Sequence, residues 1–522
     1  MPKAYLVGSG IASLAAAAYL IRDGKFPGDE ICIFEQADIA GGSLDGAGSR
    51  DSGYVIRGGR MFNFTYLCTY DLLSFIPSLT DPHKTVREEI VEFNERVKTS
   101  SDCRLVKGGS KMDASTMGFS CKDRMDLLGV SLRSEGSLGK KRIDECFKPA
   151  FFKTSFWLMW ATMFGFQPWH SAVEFKRYLH RFIHEFPRIN ALSTVDRTPY
   201  NQYDSMILPI TEWLKRQGVR FEMRSRVTNL GFEPGTDEIT VNRVQYVCDG
   251  QPREIELARG DCVFVTNGSM TADSTLGSMT APALRNTGHT ADGAWALWKT
   301  LANGRPEFGR PAVFDGRVAE SYWPSFTVTL RDPTFLRLEQ EFTGDTPGTG
   351  GLVTFVDSNW LMSIVVAYQP HFRDQEDGVQ VFWGYGLSPD RPGNYVPKTM
   401  TDCTGAEILT ELCSHLGFSQ ELPRILETSV CIPCIMPFIT SQFLTREKGD
   451  RPAVVPPGAT NLAFIGQFCE LPDDVVFTVE YSVRSAMTAV YSLLHLDKQP
   501  PPMYKGGRDP RVLFNALVTV FR

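Results

Sequence analysis

The residues of this chain best placed for chemistry begin with a run of small ones. Gly8-Ser9-Gly10-Ile11-Ala12-Ser13 follows the apolar run 4–7 and leads into an alanine-rich helical stretch that reaches Arg22. A second apolar strand at 30–34 then delivers Glu35. Strand, glycine turn, helix, strand and acid, in that order, make a dinucleotide-binding βαβ unit. Gly8 permits the tight turn, and Gly10 lets the backbone approach a pyrophosphate at the positive end of the helix. Ser13 stands where a third glycine is usual and is small enough for close packing. Glu35 can accept both hydroxyls of a ribose, and the segment 23–29 inserts the turn that delays it. Glycine in an ordinary turn is the bland alternative. The strand, helix and acid around it favour the nucleotide.

Three further glycine turns separate flavin from nicotinamide. Ala40-Gly41-Gly42-Ser43, shortly after Glu35, resembles the second glycine pair of FAD-dependent oxidases. Residues 262–267 read as a strand ending in Thr266-Asn267-Gly268-Ser269, and 461–465 as another ending in Gly466-Gln467. Flavoproteins often place Gly-Asp at the end of such a late strand, and Gln467 replaces that acid here. Dispersed turns of this kind point to FAD bound by a domain that is discontinuous in sequence.

Between these pieces lies a segment dense in aromatics, 151–186. Its second half has helical period, with Phe175, Leu179, Phe182 and Phe186 on one stripe and Tyr178 among them. A tyrosine there usually packs with its hydroxyl bonded. His180 and His184 have the i, i+4 spacing of a metal pair but lack the glutamate of HExxH and a third ligand, so they read as a solvated or packing pair. Cys431-Ile432-Pro433-Cys434 is a single CxxC, which disfavours zinc. His371 falls in a turn between expected strands at 353–356, 361–366 and 379–383, where it could serve as a cationic donor at a pocket mouth.

Composition sets the frame for these elements. A chain of 522 residues suggests about two to four domains, and 43% hydrophobic with 22% charged residues excludes disordered and fibrous classes. A net charge of −6 argues against nucleic acid as the main partner. The 12 cysteines are too few for a disulfide scaffold and fit a reducing cytoplasm. No window is long and apolar enough to span a bilayer, so the expectation is a soluble cytoplasmic protein, at most peripheral to a membrane. The tail 498–509 reads as a linker, and 510–522 as a short amphipathic helix that packs on the body or touches lipid.

Longer stretches identify a family. GSGIASLAAA at Gly8, RGGR at Arg57, the aromatic segment from Phe156, RTPYNQYDS at Arg197, VTNGSM at Val265, QPHF at Gln369 and the stretch from Asn461 together resemble the FAD-containing oleate hydratases, or myosin-cross-reactive antigens. The resemblance covers most of the chain. It implies a lyase of lipid metabolism that hydrates the cis double bond of unsaturated fatty acids such as oleic acid, giving 10-hydroxystearic acid, with FAD unchanged in net turnover. It also implies a fold: α/β, with a discontinuous Rossmann-like FAD-binding domain, an inserted β-rich substrate domain and a helical segment. The expected boundaries are FAD-binding parts at 1–85, 205–295 and 451–495, a helical aromatic-rich substrate segment at 86–204, the β-rich domain at 296–450 and a tail at 496–522.

The resemblance carries roles onto single residues. Tyr178 matches the proposed proton donor. Met61, directly after RGGR, stands where the family has its water-activating glutamate. Alkene hydration is limited by protonation, so losing a residue that mainly orients water leaves residual or shifted activity, and Asn63 is a candidate to hold the water instead. His371 matches the histidine of the carboxylate-binding group, whose other positions hold Val365 and Ala367 here. Gln369 and Tyr203 complete the expected substrate contacts. FAD contacts are expected from Gly8, Gly10, Ile11, Ala12, Glu35, Gln36, Gly41, Gly42, Ser43, Gly58, Gly59, Arg60 and Val227. Later in the chain they are expected from Thr266, Asn267, Gly268, Ser269, Gly466, Gln467, Phe468, Asp474 and Ser482. The first strand begins at Ala4, without the N-terminal extension of dimeric relatives, so a monomer is expected. Two rival readings are an FAD-dependent oxidoreductase, desaturase or isomerase acting on a lipid, and a catalytically silent lipid-binding flavoprotein.

Overall fold

The computed structural model describes residues 2–235, 238–286 and 292–521. At its centre is a five-stranded parallel sheet in the order Leu462–Ile465, Cys262–Thr266, Ala4–Val7, Ile31–Phe34, Arg220–Glu222. The first four strands in this order are short, apolar and buried almost throughout, as expected of parallel strands covered on both faces. Helix Ile11–Arg22 packs against Val479–Leu493, and alanines 15 to 18 are fully buried. Small side chains allow that close approach. An antiparallel meander, Ser225–Phe232, Val241–Cys248 and Gln251–Glu256, stands beside this sheet.

The second large element is an eight-stranded sheet in the order Thr275–Leu276, Ser429–Met436, Trp323–Leu330, Gln380–Gly386, Met362–Val365, Leu352–Phe355, Leu105–Lys107, Ser110–Met112. Only the pairing of Leu352–Phe355 with Leu105–Lys107 is parallel. Strands near 353, 362 and 380 were expected; the edge pieces at 105–112 and 275–276 come from segments assigned above to neighbouring domains. Strand Trp323–Leu330 is buried at every position. Its Thr327 and Thr329 hydroxyls accept the backbone N–H groups of Ile56 (3.1 Å) and Tyr54 (2.8 Å). This staples strand Gly53–Ile56 to the sheet and aims the following Arg57–Met61 loop at the space between the two sheets. Cys431 and Cys434 lie in strand Ser429–Met436, three apart and so on opposite faces, and both are free and buried.

Helix Ser155–Phe164 is capped by Thr154, whose hydroxyl accepts the Trp157 N–H at 3.1 Å, and ends on Gly165 in the left-handed region (φ 79°). Helix Ala172–Arg181 is shorter than the apolar stripe suggests. Pro187 lacks an N–H and restricts its predecessor, so the chain leaves the α-helix at Phe182 and continues as a 3₁₀ turn, Ile183–Arg188. His180 and His184 therefore do not share a helix face. His180 is exposed beside Ser131, His184 is buried beside Glu185, and no metal-binding cluster occurs among the described residues. The terminal helix Pro510–Phe521 rests on Ile183–Arg188, with Ala516 and Val520 buried and Phe514 and Leu517 exposed. Among the described residues no helix is long and apolar enough to cross a membrane.

Candidate functional site

A cavity of about 490 Å³ opens at the carboxyl ends of the parallel strands, where doubly wound sheets bind ligands. Gly8 leaves the first strand with φ 88°, a left-handed turn that favours glycine. Gly10 carries no side-chain cap, so the first amides of helix Ile11–Arg22 keep their donors for a ligand. A Cβ built on Gly10 would meet nothing within 4 Å, so the backbone itself faces the cavity. The second turn closes on the first: Gly41 N–H donates to Ser9 O at 3.0 Å, and a Cβ on Gly42 would lie 3.1 Å from Gly10 Cα. Glu35 steadies the turn by accepting Ser9 N–H (2.9 Å) and Ser9 Oγ–H (2.6 Å) on one oxygen and Ala37 N–H (2.8 Å) on the other.

The Arg57–Met61 loop forms another wall. Arg57 pairs with Asp45 at 2.6 Å and donates to the carbonyl oxygens of Gly42 and Thr271 (both 3.1 Å), clamping loop to turn. Arg60 lines the cavity, and burial lowers its guanidinium to about 10, partly offset by Asp45. Asn267 is buried with neither amide atom hydrogen-bonded. Uncapped helix amides, an open glycine cradle, an arginine and an orphaned amide are the donors a dinucleotide pyrophosphate and a flavin ring require, so the residues fit FAD. The expected cofactor residues all border this cavity except Asp474. Asp474 lies buried between Arg181 and Arg484. Gln467, in place of the usual acid, uses its amide to hold Thr478 O and Ser482 Oγ, both at 2.8 Å.

The aromatic helices form the remaining wall. Tyr178 is buried and its hydroxyl donates to Val476 O at 2.6 Å. The rings of Phe164 and Phe166 stand edge-on to it, each with its centroid 5.0 Å away. Burial pushes the phenol well above its ordinary value, reinforced by Tyr66, Glu174 and Asp474. Its helix is anchored one turn earlier by Glu174. Burial opposes that carboxylate, yet Arg451, Arg446 and Arg177 hold it down to about 2. Met61 and Asn63 also border the cavity. The Asn63 amide is largely engaged: Nδ2 donates to Glu185 at 2.8 Å, and Oδ1 accepts from Thr65 N (3.1 Å) and Oγ1 (2.7 Å). One N–H is left over.

Three expected substrate residues lie outside the cavity wall. Tyr203 lies close behind Gly41, where a Cβ would come 3.4 Å from its ring. Gln369 spends its amide on the turn, donating to Ala367 O (3.0 Å) and Val381 O (2.8 Å) and accepting from Val381 N (3.0 Å) and Gln375 Nε2 (3.0 Å). His371 is corrected in charge. Burial and the nearby Arg197 lower its imidazole to about 4, so it is neutral near pH 7 and the local cation is Arg197. Sequence reasoning missed Arg197 and Gln202. The Arg197 guanidinium donates to Gly348 O at 3.0 Å and to Gly350 O, and leaves Nε unpartnered. Gln202 is buried with both amide atoms unpartnered, and the adjacent Asn201 donates to His371 O from N (2.8 Å) and Nδ2 (3.1 Å). Trp323 and Trp383 were also missed; both border the cavity with buried, unpartnered indole N–H groups. No local pattern marks them, because their role depends on neighbours distant in sequence.

The family model described as MCRA matches residues 1–491. The oleate hydratase of Streptococcus pyogenes serotype M49 (strain NZ131) is 40% identical over 99% of this chain and 89% of its own length. The linoleate hydratase of Lactiplantibacillus plantarum is 35% identical over 99% of this chain and 98% of its own. Among solved structures, an oxidoreductase from Methanosarcina mazei aligns with a TM-score of 0.50 at 12% identity, covering 93% of this chain and 99% of that one. Cyclohexylamine oxidase from Brevibacterium oxydans IH-35A aligns with a TM-score of 0.50 at 11% identity, covering 95% and 99%. At such low identity these two share the fold alone.

Proposed function

Since the chain belongs to the MCRA family, we propose that it is a fatty acid hydratase, a hydro-lyase that adds water across the cis double bond of long-chain unsaturated acids such as oleic acid. The product from oleate is 10-hydroxystearic acid. One observation carries the reading: a buried phenol, Tyr178, borders the same cavity as the glycine turns. FAD would be held by the Gly8–Gly10 and Gly41–Ser43 turns, Arg60 and Asn267, and in its reduced form it supplies an electron-rich ring that favours nearby positive charge.

Tyr178 gives its proton to one alkene carbon and leaves carbocation character on the other. Water attacks that carbon and then loses a proton, so the sum is addition of H and OH. A phenol raised by burial is a weak acid, so the gain must come from holding the double bond in reach and keeping bulk water out. Phe164 and Phe182 supply apolar wall for this purpose, and each buried methylene of the acyl chain adds about 0.8 kcal/mol of binding to fix the bond. Met61 presents no base, so attack relies on the reactivity of the cation, with the spare Asn63 N–H as the group that holds the water oxygen. For the carboxylate end we assign His371 as a neutral donor, supported by Arg197 and Gln202. Calorimetry tests that assignment: Gln202→Leu should weaken binding of the acid about tenfold or more but leave the methyl ester unaffected. Equal weakening of both ligands would refute it.

A further inference from the structure

Repeated turnover poses a proton problem. Each hydration consumes the Tyr178 proton and leaves a phenolate in a wall where burial already disfavours charge. Its hydrogen-bond partner, Val476 O, has no proton to give.

Two residues before Val476, Asp474 is fully buried between two arginines. Its Oδ1 lies 3.8 Å from Arg181 Nε and its Oδ2 3.2 Å from Arg484 Nε. Arg181 sits one helical turn beyond Tyr178. Its Nη2 donates to Thr65 O at 2.9 Å, while Nε and Nη1 are buried without a hydrogen-bond partner. Buried donors of this kind are where ordered water binds. On its other side Asp474, with Arg484, belongs to the wall of a recess of about 800 Å³ bounded by Leu471, Thr488 and Tyr491. Among the described residues none lines both this recess and the catalytic cavity.

We propose that Asp474 is a relay residue that returns a proton to Tyr178 between turnovers, drawing it from water in the recess across water held by Arg181. The phenolate oxygen gains the proton, Asp474 becomes a carboxylate, and recess water recharges it. The proton lost by the attacking water leaves through the cavity opening, so the cycle balances without oxidant or reductant. Burial raises the Asp474 carboxyl above its ordinary value, with Arg181 and Arg484 opposing and Glu480 reinforcing, which suits a group that both takes up and releases a proton. The backbone fixes its direction: Val475 N–H donates to Oδ1 at 2.9 Å. The relay rests on the reading of Tyr178 as the proton donor.

Rapid-quench kinetics on the FAD-loaded, reduced protein separate the two claims. Asp474→Asn should complete its first turnover at the wild-type rate and then slow by about 10²-fold, giving a burst of one product per site. Acetate, small enough to enter the recess, should restore the later turnovers. Thr488→Trp, which fills the recess and alters no cavity residue, should give the same burst, and it decides the matter alone if Asp474→Asn does not fold. A first turnover slowed as much as the later ones, no response to acetate, or wild-type kinetics in Thr488→Trp would overturn the relay. Activity in Tyr178→Phe would instead overturn the donor on which it rests.

Discussion

At Tyr178 the hydroxyl is both satisfied, by Val476 O, and shielded from solvent, so the packing role expected of any buried tyrosine and the acid role share one geometry. Removing only the oxygen separates them. Tyr178→Phe keeps the ring contacts and should lower turnover by about 10² or more, while flavin absorbance and fatty acid binding persist; steady-state assay beside a binding titration checks this. Met61 gives a gain-of-function test at the same scale. Met61→Glu restores a carboxylate beside the cavity and should raise kcat by about 10- to 10²-fold, read from initial rates. An unchanged rate would mean that water is already fully positioned without a base.

Among the elements, the glycine turn and the capped helices carry the site. Because a Cβ at Gly10 clashes with nothing in the protein, Gly10→Ala should fold with the melting temperature of the FAD-free wild type yet bind FAD weakly, seen as loss of flavin absorbance after gel filtration. Glu174, with no solvent exposure, faces Arg446 at 3.1 Å and Arg451 at 3.0 Å. Glu174→Gln leaves two buried cations short of a counter-charge and should cost about 3–5 kcal/mol, measured by denaturant unfolding. Elements with local signals were legible in the sequence: the βαβ turn, the three later glycine turns and the tyrosine on its aromatic stripe. Strand Trp323–Leu330 was legible only as part of a β-rich stretch from Phe326; its burial at every position was not, because its alternating Ser and Thr residues look half-exposed. The Thr327 and Thr329 hydroxyls in fact meet the backbone of strand Gly53–Ile56, about 270 residues away in sequence. Gln202 escaped for the same reason, since only the folded chain reveals an amide without a partner.

For the molecule as a whole, two sheets built from dispersed segments close on one cavity, so stability and function are coupled through its walls. His170 shows how pH enters. Burial lowers its imidazole from 6.5 to about 3, and its Nδ1 accepts the Gln167 N–H at 3.0 Å. Between those values the unfolded chain takes up a proton that the folded chain refuses, so stability falls as pH drops from 6.5 towards 3. His170→Asn should remove roughly 3–5 kcal/mol of that acid loss, visible as a flatter melting temperature against pH. The fold is common to oxidases as well as to this family, so architecture alone does not decide the reaction. Product analysis in ¹⁸O-water, with the reduced protein, oleate and no oxygen or nicotinamide, does. A hydratase gives a hydroxy acid carrying one ¹⁸O atom in its new hydroxyl; a dehydrogenated or merely isomerised acid would contradict hydration.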